Sequence, residues 1–206
     1  MLLPALLALG TAGCARAPSA RAMPGLTTAQ TTPGAQRTAA GGCLASHDGY
    51  LRVRLRGAQN LDIDWPDRAL QCDGGPRPNR AGMRLTFAGP GPRAGLRLRF
   101  VFGIAGVHGV GYSQSLPANA TVLYEGDSRI YSTRGDDKCT IDELSRTPLG
   151  TSPAEHALRV SGRGFCVAPA AAIDGGEGLL LSRFDFAGLV IDDESESEAA
   201  PATAAR

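Results

Sequence analysis

Residues 50–65 read YLRVRLRGAQNLDIDW, and the order of those side chains decides the fold class. Leu51, Val53 and Leu55 alternate with Arg52, Arg54 and Arg56; Leu61, Ile63 and Trp65 alternate with Asn60, Asp62 and Asp64. A period of two sends apolar groups to one face and charges to the other, as in a half-buried strand. If Gly57-Ala58-Gln59 is a three-residue loop, Leu55 faces Leu61, Val53 faces Ile63 and Leu51 faces Trp65. The same register sets Arg54 against Asp62 and Arg52 against Asp64. One alignment satisfies both faces, which fixes the register of a hairpin. It also makes the arginine row a solvated ladder and Trp65 a core residue.

The same period recurs downstream, in Met83–Phe87, Leu96–Phe102, Ala120–Glu125, Arg129–Thr133, Cys139–Leu144, Ala157–Cys166 and Gly178–Val190. Turn signals stand between these runs: Asp73-Gly74-Gly75-Pro76, Gly89-Pro90-Gly91-Pro92, Glu125-Gly126-Asp127, Gly135-Asp136-Asp137 and Asp174-Gly175-Gly176. No helix-period stripe is longer than about two turns. The expectation is one all-β domain over 43–191, an antiparallel β-sandwich or barrel-like fold.

The flanks differ in composition. Residues 14–42 are small, polar and rich in Pro and Gly, and read as a disordered tether. Residues 192–206, DDESESEAAPATAAR, read as an acidic disordered tail. Residues 1–13 carry a short apolar run, Leu2–Leu9, too short to span a bilayer and suited to a signal peptide. The stretch Thr11-Ala12-Gly13-Cys14 resembles the lipobox of bacterial cell-envelope lipoproteins, with Thr11 where Leu is usual. That resemblance implies cleavage before Cys14, a diacylglycerol on its thiol, and the membrane as a partner. Ala15 follows, where an Asp would imply retention at the inner membrane, so the implied address is the outer membrane of a two-membrane cell. The alternative is a soluble secreted or periplasmic protein cut after Ala20-Arg21-Ala22.

Five cysteines are present, and setting Cys14 aside leaves Cys43, Cys72, Cys139 and Cys166. In an oxidising compartment four thiols imply two bridges, with three possible connectivities. Cys43–Cys72 and Cys139–Cys166 are favoured. A hairpin of Cys139–Leu144 with Leu158–Cys166 would put the second pair face to face and Asp142 opposite Arg163. The C-T-I…G-x-F-C outline of this hairpin resembles β-rich bacterial surface lipoproteins. The four lie too far apart for the tight pairs of a zinc knuckle, so no metal or other cofactor is expected.

A net charge of +1 gives no basis for electrostatic capture of nucleic acid. Gly103–Tyr112, GIAGVHGVGY, reads first as a flexible connection or close-packed strand. It lacks the Lys-Ser/Thr of a P-loop, yet glycine-rich backbone can cradle an anion. Gly106, His108, Gly109 and Tyr112 are therefore the first candidates for ligand contact. Gly111-Tyr112-Ser113-Gln114-Ser115 nearly matches a nucleophile elbow, and Ser113 with His108 or His156 and Asp136 would make a hydrolase on paper. Asp127, Asp136, Asp137 and Asp142 read as turn carboxylates rather than calcium ligands. Exposure of Tyr50, Tyr112, Tyr124 and Tyr131 would give a carbohydrate platform. The leading expectation is a non-enzymatic, lipid-anchored envelope protein whose β-domain is structural or binds an envelope partner. A hydrolase and a ligand- or carbohydrate-binding sandwich are the alternatives.

Overall fold

A computed structural model describes residues 42–79, 81–150 and 156–192. The expected signal peptide over 1–13, the expected lipidation site Cys14, the tether up to residue 41 and the tail from residue 193 lie outside the described residues.

Alternation becomes strand throughout: β1 (Tyr50–Gly57), β2 (Leu61–Pro66), β3 (Gln71–Pro76), β4 (Gly82–Pro90), β5 (Arg97–Ala105), β6 (Gly111–Glu125), β7 (Arg129–Ser132), β8 (Cys139–Pro148), β9 (Ala157–Cys166), β10 (Ala171–Ala172) and β11 (Leu179–Ile191). One 3-10 turn, Asp67–Ala69, joins β2 to β3. The strands pair antiparallel in the order β2-β1-β11-β9-β8-β6-β5-β4-β3, with β7 beside β6 and β10 beside β7. This single sheet curls into a half-barrel.

The β1–β2 hairpin has the register that the alternation dictates: Leu51↔Trp65, Val53↔Ile63 and Leu55↔Leu61 inside, Arg52↔Asp64 and Arg54↔Asp62 outside. The outer row continues as Asp64↔Arg52↔Asp185↔Arg163↔Glu143, alternating in sign across β2, β1, β11, β9 and β8. Its closest contact joins Arg163 to Glu143 at 2.6 Å, and Arg52 reaches Asp64 at 3.3 Å. Exposed pairs of this kind contribute only about 0.2–1 kcal/mol each, so they select register more than they stabilise.

Stability comes from the inner face. Phe87, Phe100, Phe102, Phe184 and Phe186 are fully buried, with Trp65 and Met83 beside them. Phe102 lies 4.7 Å from Phe184 and 5.6 Å from Phe186 between ring centroids, and Trp65 meets Phe100 edge-on at 5.6 Å. Several rings rest on glycine. A Cβ at Gly89 would stand 2.7 Å from the Trp65 ring, at Gly164 2.9 Å from Phe184, at Gly188 2.8 Å from Phe87, and at Gly162 3.1 Å from Phe186. At Gly89 and Gly188 a ring fills the space a side chain would need; at Gly164 and Gly162 a ring shares it with the Thr140 and Glu143 carbonyls.

The sheet curls far enough for β3 to meet the second half of β11. The Leu189 N–H donates to Cys72 Sγ at 3.4 Å, and a Cβ on Gly74 would stand 2.6 Å from the Leu189 carbonyl. Asp73–Pro76, read from the sequence as a turn, is strand, paired with β4 from Asp73↔Thr86 to Pro76↔Met83. Gly74 serves close backbone approach rather than chain reversal. Cys43–Cys72 ties the segment before β1 to β3 beside this seam and Cys139–Cys166 closes the β8–β9 pair, the two connectivities expected.

One expected pairing is corrected. Glu143, not Asp142, stands opposite Arg163, because the ladder slips between Ile141 and Glu143. Ile141 and Leu144 are three residues apart yet both fully buried, and only an inserted residue keeps both on the inner face. A second slip, at Ser182, does the same for Leu181 and Phe184.

Gly89→Val tests the ring-on-glycine packing. Displacing Trp65, the only tryptophan, should cost about 1–3 kcal/mol in urea unfolding and shift indole emission to the red. Gly75→Ala, whose Cβ would make only an ordinary 3.5 Å contact, should change stability by less than about 0.5 kcal/mol. Equal effects of the two variants would contradict the packing.

Candidate binding site

β5 ends at Ala105 and β6 begins at Gly111, so the glycine-rich run becomes the loop 106–110. Gly106, Gly109 and Gly111 have φ of 69°, 54° and 126°, in the left-handed region that glycine enters without strain. The Gly106 N–H donates to the Ala81 carbonyl at 3.2 Å, and Val107 plugs the loop into the core. His108, Val110 and Tyr112 are exposed.

Beneath the loop lies Arg146 of β8, only 6% exposed. Its Nη1 donates to the His108 carbonyl and its Nη2 to Ser113 Oγ at 3.0 Å, while its Nε has no partner. Burial holds this guanidinium below its usual pKa, and the Asp192 carboxylate pulls the other way. No described carboxylate forms an ion pair with it; the described ion pairs of β8 and β9 join Arg159 to Asp48 and Arg163 to Glu143. The sequence conceals this residue. Arg146 falls on the inner face only because the slip at Asp142 reverses the phase of β8, so no count of alternation from Cys139 reaches it correctly.

The candidate residues sort as follows. Gly106, His108 and Gly109 share the loop, and Tyr112 follows it at the start of β6 with its hydroxyl accepting from Gln114 at 3.0 Å. Ser113 Oγ is engaged by Arg146, and among the described residues no hydrogen bond joins Ser113 to His108, His156 or Asp136. Asp136 instead holds Arg77 at 2.9 Å and Asn119 at 2.5 Å, contacts that keep its carboxyl below the usual range. Asp127 pairs with Arg129 and Arg93, and Asp137 with Lys138. Among the described residues no three His, Cys, Asp or Glu side chains group as metal ligands.

Of the four tyrosines, Tyr124 and Tyr131 are buried and packed edge-on, and Tyr50 donates to Asp185 at 2.7 Å beneath the Arg52 guanidinium. Tyr112 alone is exposed, at 58%. A further residue unseen in the sequence is Asp67, 4% exposed, whose Oδ1 accepts from the N–H groups of Cys43, Leu44 and Gly49 at 3.0–3.1 Å. Such charge-assisted bonds tie the turn before β1 to the β2–β3 connection. Read alone, Asp67 is merely an acid in a turn.

No family model, curated protein or solved structure matches the chain.

The tyrosines give a test in alkali. Burial first, then hydrogen bonding to Asp185, raises Tyr50 from 10.0 to about 12. Burial raises Tyr124 to about 12 as well, and its hydroxyl lacks a partner. A phenol with a raised folded pKa stabilises fully below its unfolded value and loses that contribution as pH climbs through the folded one. Stability should therefore fall between pH 10 and about 12, read from urea midpoints and tyrosinate absorbance. Tyr124→Phe should reduce that fall without a loss beyond about 1 kcal/mol at neutral pH. An unchanged alkaline slope in this variant would refute the assignment.

Proposed function

We propose that the chain is an exported, lipid-anchored cell-envelope protein whose β-domain acts as a binding module. The observation that carries this reading is the distribution of its five cysteines. Four close two disulfides, bonds that persist in oxidising compartments, which leaves Cys14 as the one thiol outside them. That thiol stands in the lipobox-like Thr11-Ala12-Gly13-Cys14 after an apolar run. Three acyl or prenyl-scale anchors are not needed; two chains on one cysteine suffice for durable attachment.

The interior supports a binding role exercised on the outside. Phenylalanine rings fill the interior that a closed small barrel can leave open for a ligand, so recognition falls to the outer face and loops. The outer face between β1, β2 and β11 forms a shallow groove lined by Arg52, Arg54, Asp62, Arg183 and Asp185. The loop 106–110 offers a further exposed surface, with Val110 and Tyr112 projecting at its β6 end. An envelope protein or a surface ligand is the partner class we assign.

Cys14→Ser in cells fed labelled palmitate tests the anchor. The variant should lose the label and leave the membrane fraction, while intact mass with alkylation should still show four protected thiols. Unchanged labelling and membrane association would overturn the proposal.

A further inference from the structure

The buried cation under the glycine loop has a specific consequence. Moving a guanidinium out of water costs several kcal/mol, and proteins ordinarily offset that cost with a carboxylate. Arg146 has in direct contact only a carbonyl and a hydroxyl, with an empty Nε, while the Asp192 carboxylate acts on it without an ion pair. The edge of a guanidinium that meets an oxyanion in two parallel bonds is the Nε–Nη2 edge. Here that edge carries only Ser113 Oγ.

The loop above supplies neutral donors. Among the described residues, the N–H groups of His108, Gly109 and Val110 have no acceptor, whereas the neighbouring Gly106 N–H is spent on Ala81. Space for a ligand is present too, since a Cβ built on Gly106 or Gly109 meets nothing within 4 Å. Successive free amides in a glycine-rich turn with left-handed residues form an anion-binding concavity. A positive charge fixed beneath such a turn deepens its potential, and the low polarity around a 6% exposed side chain leaves that charge poorly screened. Ser113 and His108, adjacent in space through Arg146 rather than through each other, are then positioning residues for the guanidinium.

We propose that the loop 106–110 and Arg146 form a binding site for a small oxyanion, a carboxylate or phosphate group. The loop amides touch the anion, and Arg146 attracts it from below. This site deepens the reading of the β-domain as a binding module and does not depend on the lipid anchor.

Inorganic phosphate and acetate are the probes, titrated into the 15N-labelled chain with sodium chloride of equal ionic strength as the control. The amide signals of residues 107–111 should shift saturably, and the melting temperature should rise with the anion by mass action. Arg146→Gln should weaken the response at least tenfold. Ser113→Asp supplies a carboxylate within the chain and guards against a misfolded Gln variant. It should raise the melting temperature and abolish the response to either probe, while Ser113→Asn should retain the response. Changing the Asp and Glu residues of 193–198 to amides separates two sources of the same chemistry. Tighter phosphate binding would show that the tail competes for the site, and an unchanged affinity would show that free anions have it to themselves. Loop amides that do not move up to about 50 mM phosphate, a concentration that detects binding as weak as a millimolar Kd, would overturn the proposal. So would a response that survives both Arg146→Gln and Ser113→Asp. The anchor proposal stands or falls separately, on Cys14→Ser.

Discussion

Aromatic rings pressed against glycine backbone hold this domain together. A curled antiparallel sheet must bring its inner faces close enough to exclude water, and bulky residues on every strand would prevent that. Here the bulk is concentrated in Trp65, Phe87, Phe100, Phe102, Phe184 and Phe186, while Gly89, Gly162, Gly164 and Gly188 yield the matching space. Packing at near-crystalline density makes such a core sensitive to a single added methyl. The Cys43–Cys72 disulfide then ties the segment before β1 to β3, beside the place where β3 and β11 touch without forming a ladder.

Two slips in the ladder make that arrangement possible. Each adds one residue, at Asp142 or Ser182, and reverses which side chains face inward along the rest of the strand. The slip in β11 lets Leu181 and Phe184 both reach the core; the slip in β8 does so for Ile141 and Leu144 and carries Arg146 inward with them. A structural adjustment for packing thus creates the buried cation beneath the glycine loop. Fold and candidate site are linked through one inserted residue.

This explains what could be read in advance. Local alternation, turn residues and cross-strand charge pairs are encoded within a few positions, so the β1–β2 register follows from the sequence, and Cys139–Cys166 is the pairing it favours among three connectivities. The glycine-rich run likewise marks a loop. Bulges, the seam and the environment of Asp67 depend on strands distant in the chain. Asp73–Pro76 has the composition of a turn, and its ladder with β4 makes it strand. Arg146 looks like one more outward arginine until the phase of β8 is known. With the interior filled by aromatic rings, the outer surface and the loops are what the domain leaves open to the binding role proposed for it.

The most direct measurement is the proton spectrum of those glycines. Ring currents from aromatic faces displace protons lying against them, and protons in contact cross-relax. Ring-on-glycine packing predicts upfield-displaced α-protons at Gly89, Gly164 and Gly188, with cross-peaks to the rings of Trp65, Phe184 and Phe87 respectively. Glycine α-protons at their ordinary positions, without those cross-peaks, would contradict it.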